Sequence, residues 1–546
     1  MTFSSKQGSL WRRWDLHLHT PDTKLSNDFN VEHGDVWDKY LDLLEASEVE
    51  VFGLTDYFSC DNYFLAVKKY RERFSDGKKV FFPNIELRLS DAIGKDGNSP
   101  DIHIIFDNDP EVCSQDKLEV FLLNLKTHLT DENGAEISCK QLAATGNYDR
   151  ATVSLKGIRE ALTKTFGEAQ PFLLIFPAKN DGMKSQDTGS PRKISIAEQI
   201  DRAAHAFFGG SDSTGYFLNS ERYTNGEAKK KPVFDASDAH SFEDLERLSG
   251  DVTGFEATWI KANSNFEGLK QTLFEPEARV YIGEEPPVRI RKKAEATKII
   301  ENLKIQRVEG YRNENGLWFK KVDIPLNPEL TAIIGNKGSG KSALADILGL
   351  LGDSRTEDSF SFLANSKGNK KFRQKGYAEN FKATLTWADG NSVSKKLSEG
   401  VRNTEPERVK YLPQNYFETL TNEIQEIRQF QTEIENVVFS HVEETDRLNQ
   451  SSFKELEELK TQESRDKVSE LKMKLLELHH RLEDLVSRSK PDHKATLEKE
   501  LKQLYAELDA LTASAPEEVL KPSEESHEQQ TASKVSRTAK LLKNSH

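Results

Sequence analysis

Sulfur-containing residues and long apolar segments are scarce in this 546-residue sequence. There are only three cysteines, Cys60, Cys113 and Cys139, and no Cys-x-x-Cys pair, which argues against a disulfide framework and against a thiolate zinc site. No apolar run reaches the roughly 20 residues of a membrane-spanning helix, and the N-terminus has no signal-peptide core. We therefore expect a cytoplasmic protein with no membrane partner.

An excess of basic residues is also missing. The formal net charge is −14, which excludes a uniformly basic coat for nucleic acid but leaves room for local basic patches. Hydrophobic residues make up 36% of the chain and charged residues 30%, a balance that is globular yet allows long solvated helices. Because the chain is too long for one ordinary core, we expect two or more domains.

The most specific motif lies between residues 330 and 348. The apolar run 332–334 predicts a buried strand, and a helical pattern begins near Lys341. Residues 335–342 fit the phosphate-binding pattern G-x-x-x-x-G-K-[ST], in which backbone N–H groups surround phosphates, the lysine reaches the terminal phosphates and the last hydroxyl ligates Mg²⁺. The motif predicts that ATP and Mg²⁺ bind to Gly335, Asn336, Lys337, Gly338, Ser339, Gly340, Lys341 and Ser342.

Another group of motifs lies in the N-terminal half, where apolar runs end in residues that can ligate a metal. His17 and His19 alternate with leucines, so a strand would point both rings to one side. An isolated His-x-His pair is more often two surface histidines. Here, however, further apolar runs end in or contain residues of types that ligate metals, at Asp56, Glu86, His103 and Asp238-Ala239-His240. Helical patterns at 36–46 and 118–129 lie between the runs, which predicts a β/α barrel with its chemistry at the carboxyl ends of the strands.

These motifs resemble the successive motifs of the PHP (polymerase and histidinol phosphatase) phosphoesterases. The resemblance implies a distorted seven-stranded β/α barrel that holds up to three divalent metals. It also implies that one metal is held by four catalytic residues, His17, His19, Glu86 and Asp238. Glu86 would bridge to a second metal that His103 binds, and Asp56 and His240 lie where further ligands occur.

The sequence departs from the PHP pattern at two positions. Tyr57 stands where many members have histidine, and Ile175-Phe176-Pro177 stands where they have Ala-His-Pro. One or two ions of Mn, Zn or Fe are therefore expected rather than three, since histidine and carboxylate ligands suit these metals. Arg12, Arg88 and Lys179 are either phosphate-binding residues or solvated surface charges.

Residues 258–276, with a phosphate-binding loop downstream, are similar to the TrlF-type proteins, in which a PHP domain precedes an SMC-like ATPase. Strands are expected within 299–324, and a hairpin is expected from 383–387 and 392–397. A strand at 409–414 ends in Gln414, which resembles the glutamine that contacts Mg²⁺ and the attacking water in ABC and SMC-like ATPases.

The C-terminal part carries apolar residues at heptad spacing. Pro491 divides the pattern into two runs, which are Val468, Leu471, Leu475, Leu478, Leu482 and Leu485, then Leu497, Leu501, Leu504, Leu508 and Leu511. We expect a coiled coil or a helical hairpin. No apolar strand ending in Asp-Glu and no Gly-rich signature follow Gln414, so the chain is expected to carry half of an ATPase, with the other lobe truncated or supplied by a second chain.

Five segments are thus predicted. They are a PHP-like domain at 1–285, a linker at 286–298, an SMC/ABC-like N-lobe at 299–433, a coiled coil or helical hairpin at 434–512, and a disordered tail at 513–546. The favoured function is an ATP-binding, metal-dependent nuclease for repair or for defence against foreign DNA, acting on nucleic acid as a homodimer joined through the ATPase lobe and coiled coil. The alternatives are an inert PHP scaffold with an ATP-dependent sensor role, and a small-molecule phosphatase.

Overall fold

The fold was analysed on a computed structural model. It describes residues 7–90, 99–178, 191–223, 226–246, 248, 257–312, 318–364, 372–373, 376–414, 416, 424–515 and 527–543. The strands are β1 Leu10–His19, β2 Val49–Tyr57, β3 Val80–Arg88, β4 Asp101–Phe106, β5 Lys126–Thr130, β6 Glu136–Ser138, β7 Phe172–Pro177, β8 Ala206–Phe208, β9 Val233–Phe234, β10 Ala257–Ala262, β11 Val280–Gly283, β12 Ile300–Arg307, β13 Val322–Pro325, β14 Phe381–Trp387 and β15 Ser392–Lys396. The helices are α1 Val36–Ala46, α2 Asp61–Arg73, α3 Gln115–Asn124, α4 Leu142–Thr145, α5 Leu155–Phe166, α6 Pro191–Ala203, α7 Ser211–Leu218, α8 Phe242–Glu246, α9 Phe266–Gln271, α10 Pro276–Arg279, α11 Pro287–Ala294, α12 Lys341–Leu351, α13 Ile424–Ser440, α14 Phe453–Ser489, α15 Pro491–Ala513 and α16 His527–Lys543.

The N-terminal sheet is nearly closed into a barrel. Its strands follow the order β11-β10-β1-β2-β3-β4-β7-β8-β9. The far end returns to β1, because Leu18 forms a parallel bridge with Ala239, just after β9. The His19 amide donates to the Ala239 oxygen at 3.0 Å, and the Asp238 amide donates to the His17 oxygen at 2.9 Å. The predicted barrel-like α/β fold is therefore confirmed, with β10 and β11 added beside the first half of β1.

Repeated β/α units would make all strands of this barrel parallel, but its strands are not all parallel. β4 runs antiparallel to both β3 and β7. The reversal places Glu86 of β3 directly opposite His103 of β4.

The helices that pack on the barrel follow the apolar periodicity of the sequence. α1 has the predicted bounds, and it begins where the Asp35 carboxylate accepts hydrogen bonds from the Trp37 and Asp38 amides. Its buried face carries Trp37, Tyr40, Leu41 and Leu44. The helix predicted at 118–129 is shorter, because α3 ends at Asn124 and β5 begins at Lys126.

The second part of the chain begins with a small antiparallel sheet of order β13-β12-β14-β15. The expected strands and the expected hairpin are confirmed, since β14 and β15 pair across a turn in which the Trp387 amide donates to the Asn391 oxygen. Helix α12 packs on this sheet through Ile347, Leu350 and Leu351. The predicted linker at 286–298 is largely helical, because Pro287 begins α11 at the position where proline is favoured.

Two strands predicted in this part are absent from the described residues. Residues 331–335 form no regular element, and Leu330 and Ile334 are 85% and 89% exposed. Residues 409–413 likewise form no strand. An apolar strand is stable only between neighbours that pair with it, and the four-stranded sheet pairs with neither segment.

Residues 419–546 form a separate compact unit of long helices. The heptad residues of α14 and α15 are exposed in this chain, for example Leu478 by 53% and Leu501 by 52%. The two helices therefore do not cover each other's apolar residues as a packed hairpin would. The prediction of a disordered tail is corrected at its end, where His527–Lys543 forms α16. Alanine, glutamine, leucine and lysine in this segment favour a helix even without packing.

Candidate metal centre and nucleotide loop

Four predicted ligands converge at the carboxyl end of β1. His17 Nε2 lies 3.2 Å from His19 Nε2, and it lies 3.0 Å from Asp238 Oδ1 and 3.5 Å from Glu86 Oε2. His19 Nε2 lies 3.2 Å from Glu86 Oε2 and 3.6 Å from Asp238 Oδ1. His17, His19 and Glu86 are buried, whereas the Asp238 side chain is 59% exposed. Asp238 is therefore the member of this cluster that faces solvent.

The fifth predicted ligand, His103, is held beside this cluster by strand pairing. Its ring centroid lies 4.1 Å from that of His17. Among the described residues, two groups of three are close enough to hold an ion, and both include His17. They are His17 with Glu86 and His103, and His17 with His19 and Asp238. Glu86 lies beside His19 as well as in the group with His103, as a bridging ligand would require.

The donor spacing and the buried polar atoms both fit metal binding. Ligands at 2.0–2.2 Å from an ion and 90–110° apart are separated by about 2.8–3.6 Å, which covers the spacing of these nitrogen and oxygen atoms. Glu86 Oε2 and His103 Nδ1 are buried and have no hydrogen-bond partner among the described residues. Such atoms are costly to bury unless another group binds them. The residues present therefore fit a divalent transition metal.

The pKa values of the cluster reflect the two carboxylates and their histidine neighbours. Burial alone lowers the pKa of His17, but the Asp238 and Glu86 carboxylates outweigh burial and raise that pKa to about 10. Burial and the charge on His17 lower the pKa of His103 to about 3. Burial alone would raise the pKa of Glu86, whereas the histidines hold it below its ordinary range. His103 is thus neutral and the Glu86 carboxylate ionised, which are the forms that bind a cation, whereas His17 carries a proton that it must release when a metal binds.

Asp238 is held in an unusual backbone conformation. Its φ angle is +48°, in the left-handed region that L-residues rarely adopt. The backbone bonds between residues 17–19 and 238–239 fix this conformation. Strained backbone of this kind is common at functional sites, where the surrounding structure over-determines it.

The structure does not bring Asp56 into the cluster, contrary to the ligand prediction. One oxygen of its carboxylate accepts hydrogen bonds from Thr23 Oγ1 and from the Lys24 and Tyr57 amides. Asn62 Nδ2 donates to the other oxygen at 3.1 Å. With both oxygens engaged, Asp56 orders the loop after β1, and Thr23 connects it to His19 Nδ1.

His240 lies beside the cluster and is not part of either three-residue group. Its Nε2 atom is 3.4 Å from Asp238 Oδ1, and its Nδ1 atom is 2.7 Å from the Ser26 oxygen. Its ring stacks on His19 with centroids 3.9 Å apart, and Tyr57 stacks on His19 at 4.8 Å and on His240 at 6.4 Å. Tyr57 thus packs against two of the histidines of this site.

Arg12 and Arg88, two of the three cations suggested as phosphate ligands, bind other groups. Arg12 pairs with Glu50 and donates to the Ala262 oxygen, at the start of β1. Arg88 donates to the Asp149 oxygen and lies 3.6 Å from Asp101. Lys179 lies outside the described residues.

The predicted nucleotide loop, residues 335–342, has the backbone that its glycines permit. Gly335, Gly338 and Gly340 have φ angles of +155°, +84° and +97°. A β-carbon on Gly335 would approach Ser339 Oγ to 2.5 Å, so this position requires glycine. Lys341 Nζ donates to the Gly335 and Asn336 oxygens at 2.7 and 3.0 Å, and α12 begins at Lys341. The loop thus leads directly into a helix N-terminus, the arrangement that binds phosphate.

Gln414 is exposed and follows an extended segment that packs along the end of α12. The Val409 amide in this segment donates to the Gly352 oxygen, and the Tyr411 amide donates to Ser354 Oγ. Gln414 therefore follows an extended segment that is not a strand. Its proposed contact with Mg²⁺ stays a prediction.

Sequence reasoning missed the residues that connect the barrel to the segment before the nucleotide loop. Asn327 Nδ2 donates to the Gln7 and Ser9 oxygens at 3.1 and 2.9 Å. Glu329 forms an ion pair with Lys261 of β10. The only sequence signal was a cluster of polar residues ahead of the loop, which is also typical of any solvated turn.

None of the described helices is both long and apolar enough to cross a bilayer.

Comparison with known proteins gives a match to a family model and similarity to solved structures. Residues 283–512 match the model of a protein family described as an AAA domain. The chain has no match among curated proteins. Among solved structures, a two-domain protein from Bacteroides vulgatus that contains a predicted PHP-like metal-dependent phosphoesterase is similar, with 14% identity, a TM-score of 0.29, and coverage of 59% of this chain and 84% of that chain. A candidate metal-dependent phosphoesterase from Bifidobacterium adolescentis is similar with 10% identity, a TM-score of 0.22, and coverage of 48% of this chain and 96% of that chain. Residues 283–512 are thus similar to an AAA domain, and they follow the barrel-like α/β sheet of the N-terminal part.

Proposed function

We propose that the chain is a metal-dependent phosphoesterase, specifically a nuclease of nucleic-acid repair or defence, whose activity is controlled by ATP. The observation that carries the proposal is the convergence of His17, His19, Glu86 and Asp238, with His103 beside them. Ions bound by such ligands activate water and stabilise the leaving oxygen of a phosphoester.

The residues of the cluster have distinct roles in this proposal. The buried histidines and Glu86 hold the ions in place from inside the barrel. Asp238 contributes a carboxylate on the solvent side, where a phosphoester would approach. His240, at 3.4 Å from Asp238 Oδ1, is placed to hydrogen-bond that carboxylate or to exchange a proton with bound substrate.

Phosphodiester substrates are favoured over monoesters by the AAA domain in the same chain. A small-molecule phosphatase has no evident use for a nucleotide-binding lobe, whereas enzymes that act on nucleic acid often couple to one. This step rests on domain combination, because a fold alone does not fix a substrate.

Control by ATP is supported by contacts between the barrel and the segment that leads into the nucleotide loop. Asn327 contacts Ser9 just before β1, and Glu329 pairs with Lys261 near the end of β10. The other end of β1 carries His17 and His19. A movement of residues 327–334 on nucleotide binding would therefore act on the strand that carries two ligands.

The apolar residues of α14 and α15 support assembly with further chains. A row of leucines exposed by about half is the surface that a coiled-coil partner covers. We propose a homodimer through these helices and the AAA domain. The exposed run 330–334 is a candidate contact for a second ATPase lobe, whether from this chain type or another.

The proposal is tested by metal analysis and by cleavage of single- and double-stranded DNA and RNA with Mn²⁺, with and without ATP. We expect bound transition metal, cleavage of at least one nucleic acid, and loss of both in His17→Ala. The matched control is His128→Ala, at an exposed histidine outside both metal-binding groups. Bound metal with hydrolysis of p-nitrophenyl phosphate alone would establish the small-molecule phosphatase. If the protein binds no metal and cleaves no nucleic acid, the proposal is overturned in favour of an inert scaffold.

A further inference from the structure

A buried carboxylate that is not in the metal-binding groups lies directly behind them. Asp15 is 3% exposed, and its Oδ1 atom accepts a hydrogen bond from the His17 amide at 3.3 Å. The same atom accepts a second hydrogen bond from the Ser237 amide at 3.2 Å. These two amides belong to two different ligand-bearing segments, since His17 lies on β1 and Ser237 precedes Asp238.

Backbone hydrogen bonds hold residues 17–19 against residues 238–239. The Asp238 amide donates to the His17 oxygen, and the His19 amide donates to the Ala239 oxygen. The hydrogen bonds from the His17 and Ser237 amides to Asp15 Oδ1 add to these two backbone bonds. Because Asp238 has a φ angle of +48°, the chain needs anchors on each side of it to keep that conformation.

We propose that Asp15 is a positioning residue that sets the geometry of the metal centre, by holding the backbone of His17 and the backbone before Asp238 with one carboxylate oxygen. The inference rests on the proposed function, because it concerns the same centre.

A role as a direct ligand is less consistent with the contacts. Oδ1 is already engaged by two amides. Oδ2 is buried without a hydrogen-bond partner among the described residues, but neither oxygen is close enough to the ligand atoms to place Asp15 in a three-residue group. A residue that acts through hydrogen bonds to the ligand segments should be replaceable by one with the same acceptor. Asparagine keeps a carbonyl oxygen at the position of Oδ1, whereas alanine leaves both amides without a partner.

The test uses the full-length chain, stripped of metal, and titrated with Zn²⁺ and with Co²⁺. Asp15→Ala should weaken metal binding about 10- to 100-fold, the usual effect of removing a group that orients ligands. The visible absorption of bound Co²⁺ should change as well, because it reports ligand geometry. Asp15→Asn should stay within about threefold of wild type and keep its Co²⁺ spectrum.

The matched control is Asp35→Ala. Asp35 also accepts two backbone amides, at the start of α1, and contacts none of the ligands. This variant should lose thermal stability and keep the metal affinity of wild type, which separates positioning from a general loss of stability.

Each outcome decides the inference. Wild-type affinity and spectrum in Asp15→Ala would overturn it. If Asp15→Ala does not fold, Asp15→Asn decides alone, and a tenfold or greater loss of affinity in that variant would overturn the hydrogen-bond argument. If wild-type protein binds no metal, the proposed function itself fails, which is a different result from unaltered binding in the variants.

Discussion

Asn327 and Ser9 lie 318 positions apart in the sequence, yet Asn327 Nδ2 donates to the Ser9 oxygen at 2.9 Å. Asn327 precedes the nucleotide loop by a few residues, and Ser9 immediately precedes β1, the strand that ends in His17 and His19. Together with the Lys261–Glu329 ion pair, this bond connects the leading segment of the nucleotide loop to the strand that carries the metal ligands.

The first prediction concerns this connection. Asn327→Ala combined with Lys261→Ala should leave metal content and ATP binding unchanged but reduce the effect of ATP on phosphoesterase activity by at least half. The reason is that both the side-chain hydrogen bonds and the ion pair between the two parts are removed. The measurement is the ratio of cleavage rates with and without ATP.

The control for that experiment is Lys230→Ala, which removes an exposed ion pair with Glu277 within the N-terminal domain. A surface pair of this kind contributes at most about 1 kcal/mol to stability. An unchanged ATP effect in the double variant would show that the coupling uses other contacts.

The second prediction concerns the nucleotide loop. Lys341→Ala should weaken binding of a fluorescent ATP analogue at least tenfold, because it removes the cation that would reach the terminal phosphates. Folding should be preserved, since Lys341 bonds only to loop oxygens. Lys382→Ala, at an exposed lysine on β14, is the matched control. Equal binding by Lys341→Ala and wild type would contradict the assignment of residues 335–342.

The third prediction concerns the exposed leucines of α14. Leu478→Lys with Leu482→Lys should convert a dimer into a monomer. The reason is that the dimer would bury the lysine charges at core positions of the coiled coil, which costs free energy. Light scattering after size-exclusion chromatography gives the mass directly. Glu477→Lys, which changes a neighbouring exposed position, should remain dimeric. A wild-type monomer across micromolar concentrations would refute the homodimer.

The fourth prediction concerns a buried charge cluster in the barrel. The Asp201 carboxylate is 2% exposed and pairs with Arg222 at 2.7 Å and Lys231 at 3.0 Å. Burial would raise its pKa, but Arg222 and Lys231 hold that pKa below its ordinary value. Ionised Asp201 thus stabilises the fold above the unfolded-state pKa of about 3.9, and this contribution is lost as the pH falls through the lower, folded-state pKa.

Asp201→Asn should accordingly lower the free energy of unfolding at pH 7 by about 3 kcal/mol, since it leaves a buried arginine without its counter-charge. The difference from wild type should begin to shrink as the pH falls below about 4, where Asp201 of the unfolded chain binds a proton, and it should be smallest below the lower, folded-state pKa, where native Asp201 is also neutral. Urea unfolding at several pH values measures both effects. A difference that is independent of pH would show that packing, rather than charge, accounts for the loss.

Local signals in the sequence predicted much of the fold. The bounds of α1 follow from apolar periodicity, and the hairpin of β14 and β15 follows from its turn residues. The same signals failed at 332–334 and 409–414, where the apolar pattern is that of a strand. A pattern of this kind indicates that a segment can form a strand. A strand also needs a neighbouring strand to pair with, and the described four-stranded sheet pairs with neither segment.

The candidate site shows the same division. Residue types at the ends of apolar runs indicated a metal site, and the resemblance to the PHP motifs implied His17, His19, Glu86, His103 and Asp238 as ligands. Asp56 has the same residue type and a similar position, and only its contacts with Thr23, Lys24, Tyr57 and Asn62 show that its oxygens are engaged elsewhere.

The sequence by itself determined which residues can ligate a metal, where the phosphate-binding loop lies, and which helical faces are apolar, because these properties depend on residue type and short-range spacing. The tertiary structure decided which carboxylates meet the histidines, that β4 is antiparallel so that His103 lies opposite Glu86, and that Asp15 and Asn327 connect distant segments. These relationships depend on strand order and on contacts between residues far apart in the chain, which no local pattern specifies.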